Sequence, residues 1–318
     1  MRALKDSLFS IACVTYNQED LVTECLDSIA RQDYGPIELV VCDDASTDST
    51  ARVVEDWVAA HGARFENTVF LKNTANLGIS ATHDRALRQT SGKWVKYIAG
   101  DDILADNCAS RIAEFCKETG TTWGQALVKP FFGTLEDLPG IEMPYRRFRK
   151  YFSYDPAGQF RMFSRLCFFC APGNFFERSL LEEIGFLDTE FRTFEDWHTW
   201  LRLTRAGHTA RLLPETLVLW RRHPKSLSYS AMDVGNVAFS QDQVRVVEKY
   251  VLPYEKDLDW VTRKHLSSNL AYMKLFIQES ARLESHRKAR WLKLRDPLWW
   301  KDLGGLIRGK IFPTKKGI

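Results

Sequence analysis

Two adjacent carboxylates, Asp101 and Asp102, stand directly behind the apolar run Trp94-Val95-Lys96-Tyr97-Ile98. Open α/β sheets hold ligands beyond the C-terminal ends of their strands, and two acids there suit a divalent cation that carries phosphates. A second acidic pair, Asp43-Asp44, closes the run Ile37 to Cys42, and a third, Glu195-Asp196, opens an amphipathic segment. Acidic pairs also serve as plain turns, helix caps and partners of the helix dipole. His223, within Trp220-Arg221-Arg222-His223-Pro224-Lys225, adds an imidazole, and Arg221, Arg222 and Lys225 add cations for phosphate oxygens. The pattern points to an enzyme handling a nucleotide or another phosphorylated donor.

The elements that must position these groups alternate through the first hundred residues, as in a parallel sheet with helical crossovers. Strands are expected at Phe9 to Thr15, Ile37 to Cys42, Thr68 to Leu71 and Lys93 to Ile98. Asp20 to Ala30 gathers Leu21, Cys25, Leu26 and Ile29 on one helical face, and Ser49 to Ala60 gathers Val53, Val54, Trp57 and Val58. Ser46-Thr47-Asp48-Ser49 supplies N-cap residues for the second of these. Further on, a helix is expected at Phe194 to Ala206, a strand at Ala210 to Leu219, and helices near Asn236 to Val251 and Asp257 to Ser280. The domain expectation is a catalytic region over 1–230, divided into a nucleotide-binding half (1–102) and an acceptor half (103–230), then a helical region over 231–318.

Charge is distributed unevenly. From Arg282 to Ile318 there are eleven Lys and Arg against three Asp and Glu, so the acidic body ends in a strongly basic tail. Seven cysteines without regular spacing argue for a reducing compartment, with Cys13 and Cys42 as small core hydrophobes. No apolar leader opens the chain and no run reaches the roughly 18 residues of a membrane span, so the expected location is the cytoplasm. The aromatic and basic stretch Tyr145 to Phe176 reads as core plus a loop over the site, not as a nucleic-acid surface, because the body is acidic.

Four stretches, in order, resemble the family 2 glycosyltransferases of GT-A fold: Ser10 to Asn17, Val40 to Asp48, Asn76-Leu77-Gly78 through Asp102, and Phe194-Glu195-Asp196-Trp197 with Leu201-Arg202-Leu203 behind it. The resemblance implies an α/β, Rossmann-like, mostly parallel central sheet with flanking helices, followed by a helical C-terminal extension. It implies that Tyr16 packs on the base of a UDP-sugar donor, within a nucleotide site of Thr15, Tyr16, Asn17, Glu19, Asp44, Asn76 and Asp101. Asp44 would read the imide N–H of the base. Asp102, with His223, would hold Mn2+ or Mg2+ on the diphosphate, beside Arg221 and Arg222. Asp196 would be the general base of an inverting transfer, with Glu195, Trp197, Gly173 and Asn174 around sugar and acceptor. Many relatives carry an acid where this chain has Ala99, so a catalytically silent glycan-binding protein stays open as the rival. A nucleotidyltransferase would need a Gly-rich phosphate loop, which Thr15-Tyr16-Asn17-Gln18-Glu19 is not.

The segment His286 to Lys301 mixes Lys and Arg with Trp291, Trp299 and Trp300 around Pro297. Indoles favour the bilayer interface and cations favour anionic headgroups, so the tail (about 282–318) is expected to attach the chain peripherally to the inner face of the cell membrane. A lipid-linked glycan acceptor follows from that expectation. Packing of the tryptophans on the catalytic region or in a homodimer stays open.

Overall fold

The computed structural model describes residues 7–132, 142–165, 169–223 and 237–279. Within it, β1 (Phe9–Thr15) and β2 (Ile37–Asp43) are buried at every position, which explains why both read as continuous apolar runs. Both pair in parallel, and β3 (Asn67–Lys72) extends the sheet on the β2 side as a partly exposed edge. The chain then returns to the other side of β1 with β4 (Trp94–Ala99), also parallel. Leaving β1 in one direction and coming back on the other opens a crevice at the strand C-termini, where such sheets bind ligands.

The helix Val22–Ala30 buries Val22, Cys25, Leu26 and Ile29, and the helix Thr50–His61 buries Val54 and Trp57. Trp57 Nε1 donates to Asp27 at 2.7 Å, tying the two helices together. Full burial of each such aliphatic side chain is worth about 1.5–3 kcal/mol. Of the expected N-cap residues of the second helix, Asp48 makes the bond, its Oδ1 accepting from Thr50 N–H at 2.9 Å, while Ser49 makes no side-chain cap bond.

Beyond β4 the sheet becomes mixed. Its full order is β3-β2-β1-β4-β7-β6-β8-β5, with β5 at Ile103–Leu104, β6 at Trp123–Phe132, β7 at Asn174–Glu177 and β8 at Arg211–Arg222. β7 runs antiparallel to β4 and β6, while β6 and β8 are parallel. This α/β architecture is the GT-A type. The Tyr145 to Phe176 stretch is largely core: Phe152, Phe160, Phe163, Phe169, Phe175 and Phe176 are all buried. Phe152 stacks on Phe169 with ring centroids 4.7 Å apart.

The chain divides into two compact units, one of residues 1–163 and 167–230, the other of 164–166 and 231–318. The second unit contains the helices Val237–Tyr250 and Trp260–Glu279, bridged by Lys274 and Glu248 at 2.6 Å. Among the described residues no helix is long and apolar enough to cross a membrane. The basic, tryptophan-rich tail and Pro224 to Ser228 lie outside the described residues.

Candidate active site

The C-terminal ends of β1, β2 and β4 bring three sets of residues together. At β1, Thr15 is buried, and its hydroxyl donates to Asp43 Oδ1 at 3.1 Å while its carbonyl accepts from Asp44 N–H at 2.9 Å. Tyr16 follows with 44% of its surface exposed, a free ring at the crevice mouth. Asn17 and Glu19 are occupied between loops: Asn17 Oδ1 accepts from Thr47 N–H at 2.8 Å, and Glu19 Oε2 from Ser49 N–H at 2.8 Å. These bonds clasp the β1 exit to the β2 exit. Asn17 takes a left-handed backbone, φ 51°, which asparagine tolerates, and Ala45 takes φ 59°, which alanine does not favour.

Asp44 sits at the centre of this arrangement. Its Oδ1 accepts from Asn73 Nδ2 and from Leu77 N–H, both at 2.8 Å, and its Oδ2 accepts from Gly78 N–H at 3.0 Å. The carboxylate thereby fixes the Asn76-Leu77-Gly78 turn. Gly78 is at φ 90°, and a Cβ there would lie 2.9 Å from Arg192 O, so the turn tolerates only glycine without movement. Arg192 Nη2 closes it from outside by donating to both Asn76 O and Asn76 Oδ1.

At β4 the chain turns through Ala99-Gly100-Asp101-Asp102. Gly100 N–H donates to Val14 O at 2.8 Å, and a Cβ at Gly100 would meet Thr15 Cγ2 and Gln18 Oε1, each at 2.7 Å. Both acids are nearly buried. Asp101 Oδ2 contacts His223 Nε2 at 3.0 Å, and Asp102 Oδ1 accepts from Arg221 N–H at 2.9 Å. Among the described residues no donor bonds to the second oxygen of Asp102. Burial, and then the charge of Asp101, push the Asp102 carboxyl well above its usual range. A dication would remove that penalty. Among the described residues no three His, Cys, Asp or Glu side chains form a complete metal cage. One buried carboxylate, Asp102, with water and phosphate oxygens as the other ligands, still suits a hard cation.

Arg221 corrects a sequence expectation. The apolar run ends at Leu219, but β8 continues through Arg222, so both arginines lie in a strand beside Phe131 and Phe132 of β6. The Arg221 guanidinium donates to Asp101 O at 2.9 Å, pairs with Glu24 and lies 4.5 Å over the Phe131 ring. It clamps the Asp101-Asp102 turn. Arg222 lies over Trp220, 4.3 Å from its centroid.

The Glu195-Asp196 pair precedes the helix Trp197–Arg205. Asp196 is its N-cap, accepting from Trp197 N–H at 2.6 Å, and Thr199 Oγ1 donates to Glu195 O at 2.8 Å. No side chain bonds to the Glu195 carboxyl. Burial, with the neighbouring Asp196 charge, pushes Glu195 up to about 8, and burial pushes Asp196 up to about 6. Both carboxyls are held above their ordinary range by burial, and as neighbours they titrate as a pair. Cys170 links this pair to the first site, since the charges of both Asp102 and Asp196 raise its thiol pKa beyond the effect of burial.

The remaining expected residues take packing roles. A Cβ on Gly173 would approach Ala126 O to 2.6 Å, so that glycine is set by its contact with β6. Asn174 is fully buried on β7 and donates to Tyr97 Oη at 3.4 Å. Trp197 is buried, with Nε1 donating to Phe163 O at 2.8 Å. Sequence reasoning missed Asn73, Arg192, Glu24 and Lys96. Only Lys96 left a signal, a charge within an otherwise apolar strand run. Its ammonium is fully buried, donates to Tyr97 O at 2.7 Å and Pro172 O at 2.5 Å, and is pulled down to about 8 by desolvation.

A profile of glycosyl transferase family 2 matches residues 10–185. An uncharacterized protein of Mycobacterium bovis is 27% identical over 230 residues, covering 70% of this chain and 61% of its own length. A poly(ribitol-phosphate) beta-glucosyltransferase of Bacillus spizizenii is 29% identical over 180 residues, 55% of this chain and 26% of that one. Among solved structures, Staphylococcus aureus TarS 1–349 in complex with UDP-GlcNAc superposes at a TM-score of 0.63 and 18% identity, over 91% of this chain and 81% of that one. The mannosyltransferase PcManGT of Pyrobaculum calidifontis, in complex with GDP-Man and Mn2+, gives 0.56 and 18%, over 96% and 88%. At that identity the likeness establishes the fold.

Proposed function

The chain belongs to glycosyl transferase family 2, and from that premise we propose that it moves a sugar, with inversion, from a UDP-activated donor to a hydroxyl of a lipid-linked glycan. The observation that carries this reading is the buried Asp101-Asp102 turn at the C-terminal end of β4, with Asp101 Oδ2 3.0 Å from His223 Nε2 and Asp102 Oδ1 2.9 Å from Arg221 N, beside a second acidic pair, Glu195-Asp196, at the start of a helix. One suits a metal diphosphate and the other suits a base. The UDP-GlcNAc bound to TarS and the GDP-Man and Mn2+ bound to PcManGT support a nucleotide-sugar donor and a divalent cation.

In this reading Tyr16 stacks on the base, and Asp44 Oδ2, which accepts only one bond, takes the imide N–H of uracil. Asp102, with His223 beside the turn, would hold the cation, and Arg221 clamps the turn that carries Asp102. Mn2+ or Mg2+, when bound, neutralises charge on the departing diphosphate. Asp196 takes the acceptor hydroxyl proton as that oxygen attacks the anomeric carbon, and Glu195, protonated at neutral pH, keeps the pair singly charged. The basic tail attaches the enzyme to the cytoplasmic face of the membrane. Thermal-shift titration of nucleotide sugars with and without Mn2+ tests the reading, because ligand binding to the native state raises the melting temperature. A UDP-sugar should shift it only with the metal. No shift with any UDP-sugar at saturating Mn2+ would end the proposal.

A further inference from the structure

Residues 145–154 form a surface that the reaction above does not use. The short helix Arg146–Arg149 runs into a 3-10 turn over Lys150–Ser153. Tyr145, Phe148, Tyr151 and Tyr154 recur every third residue, the spacing that eclipses side chains in 3-10 geometry. Their rings follow one another at centroid distances of 6.1, 6.1 and 5.5 Å, and Tyr145 and Tyr154 at the two ends are exposed. Arg147 lies over both Tyr145 and Phe148, at 5.6 and 4.6 Å, and Lys150 lies 5.4 Å from the Tyr151 centroid. Arg146, Arg147 and Lys150 are exposed and make no ion pair with a described carboxylate. Arg149 differs, being engaged internally by Glu142 and Pro144 O.

The ladder is fixed to the core. Phe152 is buried against Phe169, and Gln159 Nε2 donates to Tyr151 O at 3.2 Å. It is also tied to the strand that carries the metal-site clamp: Met143, two residues before Tyr145, bridges Val128 of β6, the strand whose Phe131 supports Arg221.

We propose that this ladder docks a phosphate-bearing glycan chain, the anionic acceptor of the transfer reaction described above, on which identification the word acceptor rests. Arg146, Arg147 and Lys150, exposed and without an ion pair among the described residues, supply charge complementarity for phosphate groups. Aromatic faces suit the apolar faces of sugar rings, and three of the four rings carry hydroxyls that bond to sugar hydroxyls. The same hydroxyls, interleaved with cations over the rings, disfavour insertion into acyl chains. A membrane surface is therefore the outcome that the test must separate.

The full chain is titrated, without donor, with a polyol-phosphate glycan chain, a neutral glucan of equal length, inorganic polyphosphate, and vesicles of phosphatidylglycerol with phosphatidylcholine. The glycan phosphate should bind most tightly and weaken as salt is raised. Combined Arg146→Glu, Arg147→Glu and Lys150→Glu should lower its affinity about tenfold or more, and Tyr145→Ala with Tyr154→Ala about threefold or more. The UDP-sugar thermal shift should remain intact in both variants, which also shows that they fold. Unchanged glycan affinity after charge reversal would overturn the proposal. So would equal affinity for polyphosphate with no effect of the tyrosine changes, or loss of vesicle binding alone. Absence of any donor response in the parent chain would instead break the functional reading, since this titration needs no donor.

Discussion

Asp44 stands just past the end of β2 and Asp196 just before the helix Trp197–Arg205, and their surroundings are opposite. Asp44 accepts three N–H bonds, from Asn73, Leu77 and Gly78, and organises a turn. Asp196 accepts only from backbone amides among the described residues, that of Trp197 and its own, stands beside the buried Glu195, and is pushed up to about 6. A carboxylate whose lone pairs are met by N–H donors serves the turn it organises; one raised by burial is available to exchange a proton. The comparison separates the scaffold of the site from its chemistry.

The largest effect should come from the unsatisfied side. Asp196→Asn should lower transfer by about 100-fold or more, as removal of a general base does, while raising stability. The sign follows from the raised folded-state value. The penalty for ionising Asp196 is absent below the ordinary carboxylate value of 3.8, develops up to about 6 and is complete above it. Melting curves should show the variant stabilised by roughly 1–2 kcal/mol at pH 8 and unchanged near pH 3.5. A variant that lost stability at pH 8 would place Asp196 with Asp44.

Asp44→Ala should behave in the opposite way, losing about 2–4 kcal/mol because three donors are left without their charged acceptor. Denaturant unfolding reads this directly. Gly100→Ala should cost roughly 1–3 kcal/mol by forcing Thr15 and Gln18 aside, and should weaken Mn2+ binding more than nucleotide binding, since the turn carrying Asp102 must move. The smallest change is expected at Ala45, where replacing a left-handed alanine with glycine should gain up to about 1 kcal/mol in melting experiments. A loss there would mean that the Asp43 to Ser46 turn draws its geometry from the side chain.

The parallel half was legible because its strands are buried on both faces, so that burial and hydrophobicity coincide: β1 was located to the residue and β2 to within one. The helix Ile79–Gln89 was not, because it buries Ser80, Thr82, His83 and Asp84, which break the apolar period. β7 has four residues and β5 two, too short for alternation to register. At the site, the acidic pairs could be located from strand and helix ends, but their states could not. Whether an acid is satisfied depends on partners such as Asn73, 29 residues from Asp44, and on Glu24, 197 residues from Arg221. Arg221 was misplaced for a local reason: a charged pair ends an apolar run in sequence but need not end a strand, where a neighbouring ring and a carboxylate can take the charge.

The central claim is that Asp196 is the proton acceptor beside a metal-diphosphate site. Its most direct test is the pH dependence of acceptor-dependent UDP release at saturating Mn2+, with the parent chain and Asp196→Asn compared. The account predicts an acidic limb near pH 6 in the parent chain, falling about tenfold per pH unit below it, and a rate at least about 100-fold lower, without that limb, in the variant. An intact limb and an equal rate in Asp196→Asn would contradict it.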